Sequence, residues 1–207
     1  LPNINTSIYG VLLLDEWTPP KTFNKDNHNW FGWQIGLENQ GLFMSNNILH
    51  LEYTWTDHRI YRHRFNVNDY YSYGLPVGFW GGPHAQEFYL DYSFDFGGNR
   101  AKFMYSNAKR GELTEMMLEE QYCWPNDCSE DIQSQYERFS GFVESKQLLR
   151  LSLEREISTN LNFIISFSHV NWKNAGSKIN PSTSVLVIND GFDFIKNSLG
   201  MNIRYLF

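Results

Sequence analysis

Cysteine, alanine, clustered basic charge and long apolar runs are all scarce in this chain, and each scarcity closes off a class of protein. Little alanine, set against 16 Phe, 12 Tyr and 7 Trp in 207 residues, disfavours a helical bundle, because aromatic and β-branched side chains suit pleated surfaces. Apolar runs such as Val11–Leu14 stop after four residues, far short of the roughly 20 that a transmembrane helix requires. Membrane strands stay open, since these are short and only alternately apolar. Lys and Arg never gather into blocks of more than two or three, and the formal net charge is −6. Nothing here would neutralise a run of phosphates, so nucleic acid is not an expected partner.

Cysteine occurs twice, as Cys123 and Cys128 in Cys-Trp-Pro-Asn-Asp-Cys. The intervening residues are turn formers, which can bring the two Cα atoms within disulfide range. A tight disulfide loop fits an oxidising compartment. The rival, a pair of metal-binding thiolates, wants further Cys or His ligands nearby; the disulfide is therefore expected, and no metal or cofactor is. The start, Leu1-Pro2-Asn3, lacks the basic and apolar regions of a signal peptide, so an exported chain is expected to be processed or part of something longer.

What is present is alternation with a period of two. Phe31, Trp33, Ile35 and Leu37 alternate with Gly32, Gln34, Gly36 and Glu38. Leu49, Leu51, Tyr53 and Trp55 alternate with His50, Glu52, Thr54 and Thr56. The same holds for 86–96, for 101–106 after a Gly97-Gly98-Asn99 turn, for 147–156, for 161–168 and for 199–207, which ends in Tyr205-Leu206-Phe207. An eighth segment, around 6–14, is apolar on both faces and its register stays open.

The connections alternate too. Short ones, 40–46, 97–99 and 157–160, separate long ones, 15–28, 57–85, 107–146 and 173–194. Short turns at one end and long loops at the other is the build of an outer-membrane barrel, with the long loops outside the cell. A soluble sandwich also has one apolar face per strand. Two features favour the barrel. Large aromatics (Trp30, Trp33, Tyr53, Trp55, Tyr92, Tyr105, Tyr205) crowd the strand ends as in interfacial girdles. The opposite faces carry both signs of charge (Glu38, Glu52, Asp91, Asp95, Lys102, Arg150, Glu154, Arg204), which suits a wet lumen. The expectation is an all-β chain: an antiparallel transmembrane outer-membrane β-barrel region over residues 1–207, with about eight strands, in the outer membrane of a diderm bacterium. Eight strands can close alone or belong to a larger sheet, and the pattern does not choose.

Three stretches resemble a known family: Ser7-Ile8-Tyr9-Gly10-Val11-Leu12-Leu13-Leu14-Asp15-Glu16-Trp17, Leu51-Glu52-Tyr53-Thr54, and Tyr73-Gly74-Leu75-Pro76-Val77-Gly78-Phe79-Trp80-Gly81-Gly82-Pro83-His84-Ala85-Gln86-Glu87. They are similar to the capsule-assembly Wzi family, the third being the most specific. The resemblance implies the C-terminal half of a single-chain outer-membrane barrel of about 18 strands and a lectin-like role in binding surface or capsular polysaccharide. The Cys123–Cys128 loop departs from that family's pattern.

Polysaccharide recognition stacks aromatic faces on sugar rings and hydrogen-bonds the hydroxyls. Loop 57–85 has that make-up, and Arg59, Arg62, Tyr70, Tyr71, Tyr73, Phe79, Trp80 and His84 are the candidate glycan-binding residues. Arg59, Arg62 and Arg64 could also pair with acidic sugars or lipopolysaccharide phosphates. The plainer reading makes the same aromatics the private core of a compact loop built on Gly74, Pro76, Gly78, Gly81, Gly82 and Pro83. Loop 109–144 is acidic, which is more often a solvated face than a calcium site.

Catalysis is not expected. Ser168 and His169 face opposite sides of a strand, no nucleophile-elbow or zinc-protease motif occurs, and Asp91 and Asp95, about 13 Å apart along a strand, are too far apart for a glycosidase pair. A glycan-binding anchor is the preferred function. Structural or scaffolding barrel, with envelope protein partners, and passive channel are the alternatives; outer-membrane lipid and lipopolysaccharide are the expected surroundings.

Overall fold

The structure, a computed structural model, describes residues 5–17, 19, 30–61, 71–72, 75–76, 78–115, 117, 138–139, 141–180, 183 and 185–205. Arg62, Tyr70, Tyr73, Cys123 and Cys128 lie outside the described residues, and of Tyr71 only the backbone is described.

The strands are β1 (Asn5–Glu16), β2 (Trp30–Gln40), β3 (Asn47–Thr56), β4 (Tyr71–Ser72), β5 (Leu75–Pro76), β6 (Ala85–Phe96), β7 (Asn99–Gly111), β8 (Val143–Ser158), β9 (Leu161–Lys173), β10 (Lys178–Ile179), β11 (Leu186–Val187) and β12 (Phe194–Tyr205). The long ones form one eight-stranded sheet in the order β1-β2-β3-β6-β7-β8-β9-β12. Every pairing in it is antiparallel. The chain thus runs up and down, each long strand beside its predecessor. All eight expected strands are present. The pairs β4–β5 and β10–β11 are small hairpins inside long connections that alternation did not announce. The sheet is not closed: among the described residues β1 and β12 each pair on one side only.

The short connections, 41–46, 97–98 and 159–160, lie at one end of the sheet and the long ones at the other, as strand direction requires. Gly97 and Gly98 form a two-residue hairpin between the paired Phe96 and Asn99, both with positive φ (52° and 77°). That conformation matches the twist of the flanking strands and is costly for a residue with a Cβ. Strands β7 and β8 run further than their alternation indicated. Their extra pairs, Lys109 with Ser145 and Arg110 with Glu144, carry no apolar signal and are legible only through pairing.

Register joins the alternating apolar residues of the eight strands into one face, because directly paired residues share a face. Across the sheet run Trp33 with Trp55, Leu51 with Leu90, Leu90 with Tyr105, Tyr105 with Leu149, Leu151 with Phe167, and Phe167 with Leu199. Pairing also resolves β1: Ile8 opposite Leu37 and Leu12 opposite Trp33 join the apolar face, while Tyr9, Val11 and Leu13 take the other. Among the described residues nothing covers the middle of that face, although Arg138 lies over Trp55 at its long-connection end. Ile35 is 52% exposed, Leu151 43% and Ile203 70%.

The buried apolar clusters are elsewhere, at the long-connection end: Trp30, Ile60 and Tyr61 form one and Leu113, Met117 and Leu186 another. A two-sheet sandwich would bury the apolar face of the sheet; this molecule buries the roots of its loops. Trp30 accordingly leaves the expected girdle. It begins β2 one residue before Phe31, on the polar side, and packs under the turn that carries Ile60 and Tyr61.

Candidate functional site

The polar side of the sheet carries several hydrogen-bonded clusters that link neighbouring strands. Gly36 sits between Tyr9 of β1 and β3, and a Cβ there would overlap the Tyr9 ring. The bare backbone lets Tyr9 cross β2. Its hydroxyl donates to Glu52 Oε2 at 2.7 Å and lies 2.7 Å from His50 Nε2. Next to these, the Tyr89 hydroxyl donates to Asp91, which pairs with Lys102 at 2.8 Å. Towards the long-connection end, buried Glu144 accepts from Arg110 Nη2 (2.7 Å), Trp172 Nε1 (2.7 Å) and Ser177 Oγ (2.6 Å). Several charges on this face meet partners on adjacent strands, as Lys102 with Asp91 and Arg110 with Glu144, and others accept from neutral donors.

Where that face meets the long connections lies a cavity of about 630 Å³. Its floor comes from Val11 and Leu13 of β1, Gln34 of β2, and Glu52 and Thr54 of β3. Its roof is the turn carrying Phe79 and Trp80, with Tyr61 and Glu87 beside it. The roof is held in place. The Phe79 amide donates to the Tyr61 hydroxyl at 3.3 Å, and Trp80 Nε1 donates to Glu87 Oε2 at 2.5 Å. The second oxygen of Glu87 accepts from Ser106 Oγ at 2.5 Å, so this carboxylate is fixed at both ends. Trp80 stays 44% exposed. Lys146 lies over its ring, 5.2 Å from the centroid, and over Trp172 at 4.4 Å. The cavity therefore joins aromatic surface to oriented carboxylates, the combination that binds polyhydroxylated rings.

Behind the roof the loops are clamped to the sheet. Thr56 Oγ1 donates to the carbonyl of Gly82 at 2.7 Å and accepts from the Ala85 amide at 3.0 Å. Arg138 donates to the carbonyls of Thr56 and Ala85, both at 3.0 Å, and its guanidinium lies over Trp55 and Phe139. His84 is fully buried. Its Nε2 accepts the Phe139 amide at 3.0 Å, and its Nδ1 lies 2.8 Å from the Glu112 carbonyl. An acceptor at one nitrogen and a carbonyl at the other define a neutral ring protonated at Nδ1.

Burial pushes the His84 pKa down to about 4, the Glu112 carbonyl opposing and Arg138 adding to the fall. Burial likewise takes His58 down to about 3 against the attraction of Asp57. For Asp57, burial alone would raise the pKa. The hydrogen bonds and charge of Arg59 outweigh it, holding the carboxyl below its usual range. Burial also pushes the Tyr61 phenol up.

Of the expected glycan-binding residues, Phe79 and Trp80 line the cavity. Arg59 is engaged in a two-pronged ion pair with Asp57 (2.9 and 3.0 Å), and His84 packs the loop from inside rather than meeting solvent. For these two the plainer loop-core reading describes the geometry. Tyr71 contributes backbone to the β4–β5 hairpin. Sequence reasoning missed Gln34, Glu52, Thr54 and Glu87 as cavity residues. The strand members look like ordinary polar-face positions, and only the loop folding over them makes a wall. No family model, curated protein or solved structure matches this chain.

Proposed function

We propose that this chain forms part of an outer-membrane β-barrel that binds or anchors surface polysaccharide at its long-connection end, in the lectin-like manner expected of a Wzi-type protein. One observation carries the barrel: eight strands present an apolar band whose middle no described residue covers, while their other face is polar and hydrogen-bonded. In this reading lipid covers the first and the lumen holds the second. Two unpaired sheet edges would be untenable in hydrocarbon, so further strands complete the barrel. The long connections then emerge together outside the cell, and the cavity under Phe79 and Trp80 faces the glycan.

The membrane reading is tested by fractionation and extraction. The protein should sediment with the outer membrane, resist carbonate, and need detergent to stay monodisperse. Recovery as a stable monomer in plain buffer would end it. For glycan binding, titration of surface polysaccharide should weaken in Trp80→Ala; undiminished binding would move the site elsewhere. The scaffolding alternative draws support from the clamp, because Arg59, His84 and Arg138 all serve the loops themselves. It predicts co-purification with an envelope protein at fixed stoichiometry and no glycan affinity.

A further inference from the structure

The cavity has a sign of charge, and the sign selects among sugars. Glu52 and Glu87 lie on the polar face of neighbouring strands, with Thr54 directly opposite Glu87 and Tyr89 opposite Glu52. That makes them diagonal neighbours, about 7 Å apart at the backbone, a span that one sugar ring bridges. Each is oriented by a donor that uses only part of its acceptor capacity: the Tyr9 hydroxyl at Glu52, and Ser106 and Trp80 at Glu87. A carboxylate only accepts, and its two oxygens offer about four lone-pair positions, so both retain room for ligand donors. Above them stand the Trp80 and Phe79 rings. No Lys or Arg is among the described lining residues. The nearest cation noted above, Lys146, lies over Trp80 and borders the small adjoining cleft instead.

We infer that this cavity takes a sugar ring bearing no acid group, with hydroxyls or an amine donating to Glu52 and Glu87 and the ring's apolar face against Trp80. The inference rests on the glycan-binding reading above and narrows it. Neutral and amino sugars fit; uronates and pyruvylated sugars are repelled, since their carboxylate would meet Asp15, Glu52 and Glu87 and no Lys or Arg among the described lining residues. The sequence also allowed acidic sugars paired with Arg59, Arg62 and Arg64; Arg59 is held in an ion pair with Asp57, and Arg62 and Arg64 lie outside the described residues. A free amine should bind better than its N-acetylated counterpart, because a charge-assisted hydrogen bond is roughly twice as strong as a neutral one.

The test uses the whole protein in detergent micelles on an array of neutral, amino-sugar and uronate-containing glycans, followed by titration of the bound ones. The expected hits are neutral or amino sugars, with affinity falling about tenfold or more in Glu87→Gln, which keeps size and one acceptor but loses the charge. Trp80→Ala should weaken the same ligands, and as an exposed residue it leaves the fold intact as a second probe. Uronate glycans bound best, with loss in Trp80→Ala, would overturn the charge inference and leave glycan binding standing. No glycan bound at all would overturn the underlying reading. Hits indifferent to both substitutions would remove this cavity as the site.

Discussion

The imidazole of His84 lies flat on the ring of Phe139, centroids 5.2 Å apart and planes 5° from parallel, while its Nε2 accepts the Phe139 amide. One residue thus ties the 112–142 connection to the start of β6, and it can do so only as a neutral ring. A proton on Nε2 would turn the acceptor into a donor facing a donor.

The loop clamp should therefore weaken in acid. His84 and His58 have folded pKa values of about 4 and about 3, both below the ordinary histidine value. The unfolded state binds protons first, so stability is complete above about pH 6.5 and falls as pH drops towards the folded values. The slope is about 1.4 kcal/mol per pH unit for each ring. Hydrogen exchange at the amides of Phe139 and Gly111, corrected for its intrinsic pH dependence, should show protection lost between pH 7 and pH 5. Constant protection would mean that the rings are not the groups that matter.

Gly36→Ala should disturb the polar face although it adds a single methyl. The new Cβ would occupy the place of the Tyr9 ring, displacing a hydroxyl bound to Glu52 and His50. The cost expected is roughly 1–3 kcal/mol, read from the unfolding midpoint in detergent. In a Tyr9→Ala background the same substitution should cost much less; equal costs in both backgrounds would deny the coupling.

The two sides of the sheet should answer a charge differently. Leu151→Glu places a carboxylate on the apolar face, whereas Ser152→Glu places it opposite Lys102. In bilayer refolding the first should cost roughly 1–3 kcal/mol and the second little. Equal tolerance would argue against lipid on the apolar side.

Glu144→Gln should destabilise the long-connection end. It leaves Arg110, 17% exposed in its side chain, facing a neutral amide. Losing one partner of a buried pair costs about 3–5 kcal/mol, and the retained acceptor oxygen places this variant at the lower end. Faster proteolysis of the 174–193 connection, anchored through Ser177, would register it; unchanged cleavage would mean that Arg110 finds another partner.

Alternation alone was enough to find eight strands, their up-and-down order of short and long connections, and which face of seven of them is apolar. Side chains on a strand point alternately to its two sides, so composition at period two writes the faces directly into the chain. That signal vanished where both faces are apolar, in Leu12-Leu13-Leu14. It vanished again where both are polar or small, as in Lys109-Arg110-Gly111. In both places only the partner strand supplied the register.

The site was less legible. Trp80 and Phe79 were identifiable as aromatic loop residues. That Arg59 would be spent on Asp57 and His84 sealed under Phe139 depended on contacts between residues as far as 55 positions apart. The two carboxylates became a cavity wall only when a turn 7 residues from Glu87 folded over them. Local periodicity is a property of neighbours in sequence and could be read from the chain. Burial, pairing of charges and the shape of a cavity are properties of neighbours in space, and only the folded chain decided them.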